Sequence, residues 1–522
     1  MKAPLYGNPL RSGSIRLGGW FPVRAGVILV VASLVVLICF LTKEFILGLL
    51  IAVGVVVYVS IFEIPFGAED LTLMTRARRR FTHMRRVDSG ETLFLGSTFT
   101  AQNKGLTLPG VLSTLRVRDE VDGLGNPVQL IHHTRANQLS VTIESAPAGI
   151  SMNTQAKTTD LVSNYASWLS SLSGENGLRG AQVVIDSVFE SAAPLAESIL
   201  SNLKPDAPAV AQQIARESAG MLPERVAHVR AYTVLGYKIS ELADDVDGAA
   251  AEVLSMIPRH LKALSAAGAG VSQVMADADL GDMMYAAYNP HRNAEIAQEI
   301  KDKIAYRNSE VAQEIKDKIA YRSFEGAGPA YFNSSHPRVV FHDGVASMTI
   351  MMTEPSKSKI TDHSFQKLFA PNRNFLRKRV SLIYRPVPAS AQNARVNSAS
   401  RAATTEVTSK KRFTAFDKKK KAAAEAAMQQ AAEGAVIQEW ALMVTVTFEP
   451  NRAAQRTAEN ELKALMGGMK WCFADFTADA AFHQTLPLGL FPWAYAPSMS
   501  LLAVEPSEKK TAEQKKKEEE EN

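Results

Sequence analysis

The chain holds two cysteines in 522 residues, Cys39 and Cys472. Two thiols so far apart build no disulfide framework and fit no zinc-ligand spacing; they suit a reducing cytosolic compartment and read as small apolar packing residues. No stretch matches G-x-x-x-x-G-K-[ST], so no loop is built to cradle nucleotide phosphates; Gly268 and Gly270 lack the necessary lysine and read as a turn. No H-E-x-x-H occurs. Asp245, Asp247 and Gly248 fail as a calcium loop, because its first position would be Ala243 and its twelfth Leu254. The tight histidine groupings, His132 with His133 and His336 with His342 and Asp343, make poor metal sites, since neighbours on a strand point to opposite faces. No serine sits in a G-x-S-x-G elbow. The sequence therefore foreshadows no catalytic residue, no cofactor and no metal ligand, and the expectation is a protein that is not an enzyme.

Charge is missing from two long runs near the N-terminus, Ala25 to Leu41 and Phe45 to Phe62, which are separated only by Thr42, Lys43 and Glu44. Each is roughly 17 to 18 residues, close to what a helix needs to cross the hydrocarbon of a bilayer. The connection can only send the second helix straight back, which predicts a two-helix transmembrane hairpin over 25–62. A secretory signal fits poorly, because no small-residue cleavage site follows the first run and a second apolar run begins at once. A buried hairpin in a soluble core is the alternative, but core helices of this length carry a polar face.

The flanking charges set the orientation. Lys2, Arg11, Arg16 and Arg24 precede the first run, and Arg76, Arg78, Arg79, Arg80, Arg85 and Arg86 follow the second. Basic residues stay on the cytoplasmic side, so both termini are expected there, in a multi-pass protein of the cytoplasmic (inner) membrane. The six arginines from Arg76 to Arg86 are also a candidate contact for membrane-surface phosphates or another anionic partner. An anionic leaflet attracts each by about 1 kcal/mol. Nucleic acid would be drawn by the same charges, but only Phe81 supplies an interleaved aromatic ring.

About 440 residues remain after the hairpin, enough for two or three compact domains. The net charge of +5 is concentrated in local clusters and names no partner by itself. A cytoplasmic segment 1–24 and the hairpin lead through a basic linker 63–89 into a first α+β region, 90–290. There, strand patterns over Glu91 to Phe99, Val128 to His132, Leu139 to Glu144, Val183 to Phe189 and Val226 to Ile239 mix with helical spacing over Thr159 to Leu172, Ala192 to Leu203, Ala207 to Met221 (Asp206 as its cap), Asp247 to Ala267 and Leu280 to Tyr288. Trp168 reads as a core anchor.

A second α+β region, 336–504, repeats that order: a strand over Ala346 to Thr353, a helix over His363 to Phe369, strands over Arg379 to Tyr384 and Trp440 to Phe448, and a helix over Ala453 to Leu465. The expected fold class is α+β, an N-terminal transmembrane hairpin followed by cytoplasmic sandwich modules with strand-helix-strand repeats, helices covering one face of each sheet.

Three segments depart from this pattern. Asn293 to Arg307 and Asn308 to Arg322 are near copies within the linker 291–335, and the fifteen-residue period keeps Ile300, Ile304, Ile315 and Ile319 on neighbouring helix faces. Two copies are too few for a solenoid. The insertion 389–435 carries two basic runs, Lys410, Lys411 and Arg412, then Lys418, Lys419, Lys420 and Lys421, which read as a solvated helical arm or as a contact for a partner or nucleic acid. The tail 505–522 is Lys and Glu with almost nothing apolar, the composition of a disordered segment.

Phe482 to Gly489 (Phe-His-Gln-Thr-Leu-Pro-Leu-Gly) resembles the segment that leads from the N-terminal domain into the motor in the conjugation and type IV secretion ATPases. Leu108, Pro109 and Gly110 before a strand, Tyr165 with Trp168, Tyr288 with Pro290, Arg377 to Tyr384 followed by Arg385 and Pro386, and Leu486 to Leu490 resemble, in order and spacing, the integral-membrane family of actinobacterial integrative and conjugative elements. That family looks like a two-span secretion subunit fused to the non-catalytic domain of the ATPase. The resemblance implies a structural subunit for conjugative DNA transfer or protein secretion, oligomeric within a larger assembly and docking a separate ATPase and channel subunits at the bilayer. Two rivals stand beside it: a type VII secretion membrane component, which lacks the Leu486 to Gly489 run, and a membrane-tethered nucleic-acid-binding protein.

Overall fold

The computed structural model describes the chain from Arg16 to Tyr495, apart from 18–20, 68–70, 97–107, 124, 148, 150–152, 205, 223–224, 277, 293–322, 355–364, 409–421, 423–424, 427, 430–435, 437 and 467. The tandem duplication, both basic runs of the insertion and the tail lie outside the described residues.

Two helices come first. α1 (Val23–Leu41) and α2 (Phe45–Tyr58) pack along each other, and α2 runs on through a π-turn to Glu63. Lys43 takes the left-handed conformation in the short turn between them (φ 65°). α3 (Leu73–Asp88) follows, with the Thr72 hydroxyl accepting the Thr75 N–H as its cap.

Beyond the helices lies one sheet of thirteen strands, every ladder antiparallel. The strands are β1 (Leu93–Leu95), β2 (Leu115–Val121), β3 (Pro127–His133), β4 (Gln138–Ala146), β5 (Leu178–Ser191), β6 (Arg225–Lys238), β7 (Val271–Val274), β8 (Tyr331–Asn333), β9 (Val339–His342), β10 (Val345–Glu354), β11 (Arg377–Pro386), β12 (Gln438–Phe448) and β13 (Lys470–Phe473). They pair in the order β1-β8-β9-β10-β12-β11-β5-β6-β4-β3-β2, with β7 beside β4 and β13 beside β10. Apart from single turns at Ile239–Leu242 and Gln366–Phe369, the helices that follow among the described residues are α4 (Gln155–Ser171), α5 (Ala193–Ser201), α6 (Ala209–Gly220), α7 (Val246–Leu264), α8 (Ala278–Tyr288), α9 (Ala389–Thr408), α10 (Arg452–Leu465) and α11 (Ala478–Gln484). The molecule is α+β, built on this one large antiparallel sheet.

The strand order is that of one unit used twice. In each, a three-strand meander (β2–β4, β8–β10) is followed by a long pair (β5 with β6, β11 with β12) whose second strand returns beside the last strand of the meander. A helix (α7, α10) then leads to a short strand (β7, β13), which pairs with that same meander strand beyond the meander ladder, and a second helix (α8, α11) closes the unit. The registers match as well. His133 opposite Gln138 closes the first hairpin and His342 opposite Val345 the second, while Ser140 faces Ile131 as Ser347 faces Val340. The units join where β11 pairs with β5, Arg377 to Tyr384 against Val188 to Ala181, so the sheet runs unbroken from 90–290 into 336–504.

Alternation along the strands separates two faces. One is apolar: α4 and α7 bury Trp168, Val253 and Ile257 against Val141, Ile143 and Leu235, and α10 buries Ala458 and Leu462 against Met348, Ile350 and Val446. Each such aliphatic side chain contributes about 1.5 to 3 kcal/mol on burial. The other face carries Gln138, Ser140, Thr142, Gln182, Asp186, Arg377, Arg379, Ser381, Ser347, Thr349, Thr445 and Thr447, all buried. Helices were expected on one face only, but α8, α11 and the segment after α11 cover this second face too, and their backbone carbonyls accept from Gln138, Thr142, Gln182 and Arg377. The Asp206 cap is also corrected: Pro208 precedes the first turn of α6, with no side-chain cap.

Candidate functional site

The basic cluster lies on α3, which divides it in two. Arg76, Arg79, His83 and Arg86 recur at helical spacing and turn inward. His83 is buried, its Nε2 donating to Ser335 O at 3.1 Å and its ring set edge-on to Phe476. Arg86 Nη2 donates to Asp479 Oδ2 at 2.6 Å, in the first turn of α11. Burial alone would raise the Asp479 carboxyl, but the Arg86 bond and charge outweigh it and hold the group below its usual range. Arg76 lies against Gly67, where an added Cβ would stand 2.4 Å from Nη2.

Arg78, Arg80 and Arg85 stay exposed, among large apolar side chains that are exposed too: Phe81 at 67 %, Met84 at 54 % and Met74 at 44 %. The outer face of α3 is thus a mixed strip of guanidinium groups and large apolar side chains, on a helix that begins ten residues after the π-turn that ends α2. Such a strip matches the boundary between headgroups and acyl chains. Among the described residues, Phe45–Glu63 is one helix long and apolar enough to cross a bilayer, and the apolar stretch Ala25–Cys39 within α1 is shorter. Val30, Leu34, Leu41, Ile46, Leu49 and Leu50 all project outward from the pair rather than into a core.

The second constellation is the polar layer. Thr485 to Phe491 crosses the sheet as a strap, and carbonyls in it and at the end of α11 accept from buried donors of the sheet. Gln138 Nε2 donates to Gly489 O (2.9 Å), Thr142 Oγ1 to Pro487 O (3.0 Å), and Gln182 Nε2 to Gln484 O and Leu486 O (2.8 and 3.1 Å). In the other unit, His342 Nδ1 donates to Tyr288 O at the end of α8 (2.8 Å) and Arg377 donates to Ala286 O. Each unit therefore lends its closing segment to the sheet of its neighbour. Burial pushes His133 and His342 down to about 3 and His483 to about 4, so all three are neutral at physiological pH.

On the apolar face Glu175 gathers a network. Tyr237 Oη and His260 Nε2 donate to its Oε1 at 2.6 and 2.8 Å, and Arg259 stands 2.9 Å from Oε2. Trp168 Nε1 donates to His260 Nδ1 at 3.2 Å, so Trp168 anchors the core through its ring and its N–H alike.

Lys410, Lys411, Arg412, Lys418, Lys419, Lys420 and Lys421 lie outside the described residues. The histidine groupings are engaged singly: His133 Nδ1 bonds Tyr495 Oη at 2.6 Å, and His336 Nδ1 accepts the N–H groups of Arg338 and Val339. Among the described residues no three His, Cys, Asp or Glu side chains stand close enough to hold a metal ion. The inward role of Arg86 had no local sequence signal, because Asp479 is 393 positions away. Compared with known proteins, the sequence matches no family profile and no curated protein.

Proposed function

We propose that this chain is a non-enzymatic, membrane-anchored structural subunit of a conjugative, type IV-like secretion apparatus, docking a separate ATPase at the cytoplasmic membrane. α1 and α2 cross the bilayer as a hairpin with both termini cytoplasmic, and α3 lies at the headgroup level. The sheet then presents its surfaces to the ATPase and channel subunits. The observation that carries the anchoring part is the outward projection of apolar side chains all along α1 and α2, next to a basic and apolar outer face on α3. The docking part rests on the resemblance of Phe482 to Gly489 and the other short motifs to conjugation proteins; that run forms the buried strap, which fits a structural role in the sheet.

The test is affinity purification of the tagged, detergent-solubilised protein from its native cells, followed by mass spectrometry. Recovery of a conjugation ATPase with channel subunits is the expected outcome. Type VII components in their place would move the protein to that machine, and nucleic acid alone would shift the argument to the basic residues.

A further inference from the structure

Three charged side chains are buried together on the polar face, and their charges do not balance. Asp186 of β5 stands directly opposite Arg379 of β11 in the ladder, yet its carboxylate is taken by Arg377. Arg377 Nε lies 2.9 and 3.0 Å from the two oxygens, and Nη2 also donates to Oδ2. Arg379 has no such partner. Its Nε, Nη1 and Nη2 are all buried without a hydrogen bond, the residue is 1 % exposed, and its guanidinium carbon sits 4.6 Å above the centre of the Phe482 ring. The ring face attracts a cation but offers none of these N–H groups a lone pair to point at.

Arg377 and Arg379 share one carboxylate in the ladder, in a region closed by Tyr288, His342, Phe482 and His483, each 4 % exposed or less; the neighbouring acidic groups are engaged elsewhere, Asp343 by the Tyr331 N–H and Asp479 by Arg86. Neither histidine can supply a negative charge. Burial holds Arg379 down to about 10, which still leaves it cationic at neutral pH. An uncompensated charge and unmade donor bonds at such depth are both strongly unfavourable.

We propose that Arg379 anchors a buried binding site for a small inorganic monoanion of halide or nitrate size, which accepts its N–H bonds and neutralises the guanidinium. The closed surroundings set the size: a phosphate monoester or a lipid headgroup would have to displace Tyr288, Phe482 or His483. The ion would sit where β11 meets α11, and would thereby tie the closing helix of the second unit to the junction of the two units.

The full-length protein in detergent micelles tests this by its thermal midpoint in chloride, bromide or nitrate against gluconate, at equal ionic strength and neutral pH. The small anions are expected to raise the midpoint saturably by about 1 °C, the shift a site filled to several times its Kd gives a protein of this size. R379M should lose the dependence and melt in gluconate no lower than the parent, because an apolar side chain of similar length replaces a buried charge. R379Q serves if R379M does not fold. D186N, which strips Arg377 of its carboxylate and adds a second uncompensated guanidinium, should keep or steepen the dependence. Equal midpoints in chloride and gluconate for the parent would overturn the proposal, as would the same chloride shift persisting in R379M or R379Q.

Discussion

Gly489 shows how a single residue holds the strap to the sheet. Its φ is +72°, a region that side chains disfavour, and a Cβ there would stand 2.6 Å from Ser140 Oγ. Gly489→Ala is therefore expected to cost about 1 to 3 kcal/mol, read as a lowered denaturation midpoint; an unchanged midpoint would mean the strap is not held in this conformation. The buried histidines make a second prediction at this scale. His133, His342 and His483 keep lowered pKa values only while folded, so between their ordinary value near 6.5 and about 4 the unfolded chain binds protons that the folded chain refuses. Stability is full above that window and falls as pH drops through it, by about 1.4 kcal/mol per pH unit for each histidine. Glu175 and Asp479, whose carboxyls are held low, lose their contribution only at still lower pH, while Glu144 and Asp343, pushed up by burial, pull weakly the other way. Thermal midpoints from neutral pH to pH 5 should fall steeply, and His342→Gln should flatten the slope; a flat parent profile would show that these rings are not buried as described.

At the scale of elements, α3 has two faces with separable duties. Reversing the outer charges with Arg78→Glu, Arg80→Glu and Arg85→Glu should leave the folded sheet within about 0.5 kcal/mol of the parent. It should also lift the helix from anionic bilayers, seen in proteoliposomes as a spin label at Phe81 moving from oxygen-accessible to water-accessible surroundings. Asp479→Ala should do the reverse, costing about 1 to 3 kcal/mol through the stranded Arg86 while the label stays at its depth. If the label at Phe81 reports water in the parent protein, the outer face meets something other than lipid. The elements themselves were largely legible. The 3.6-residue spacing of Tyr165, Trp168, Leu169 and Leu172 predicts α4, and the strand patterns match β6, β10, β11 and β12 to within two residues, while β5 begins five residues before its pattern. What escaped was short or charged. β2 reads Leu-Arg-Val-Arg-Asp-Glu-Val, whose charges blur its bounds until its partner β3 is beside it, and β7, β8, β9 and β13 are only three or four residues long. The polar layer escaped for a different reason. Ser347, Thr349, Thr445 and Thr447 alternate with apolar residues just as a solvent-facing strand would, and only the strap and α11 turn that face into an interior.

At the scale of the whole molecule, the two units are bound by exchange. Arg377 of the second unit is held by Asp186 and Ala286 of the first, and His342 by Tyr288, while Gln138, Thr142 and Gln182 of the first unit donate to carbonyls at or beside the strap of the second. Cutting the chain between 292 and 323 therefore separates an N-terminal piece that lacks the strap carbonyls bonded by Gln138 and Gln182 from a second piece in which Arg377 has lost its carboxylate. A buried charge deprived of its partner costs about 3 to 5 kcal/mol, a large part of the stability of an ordinary domain. The piece 323–522 expressed alone is accordingly expected to aggregate. Co-expressed with 1–292, it should be recovered in equal amount with the tagged membrane piece after detergent extraction. Arg377→Ala in the intact chain should have a milder effect of the same kind, one cooperative transition at a lower midpoint rather than two separate ones, because the β5–β11 ladder still joins the sheet. A soluble 323–522 fragment with its own sharp melting transition would refute the exchange and make the two units independent domains that merely share an edge.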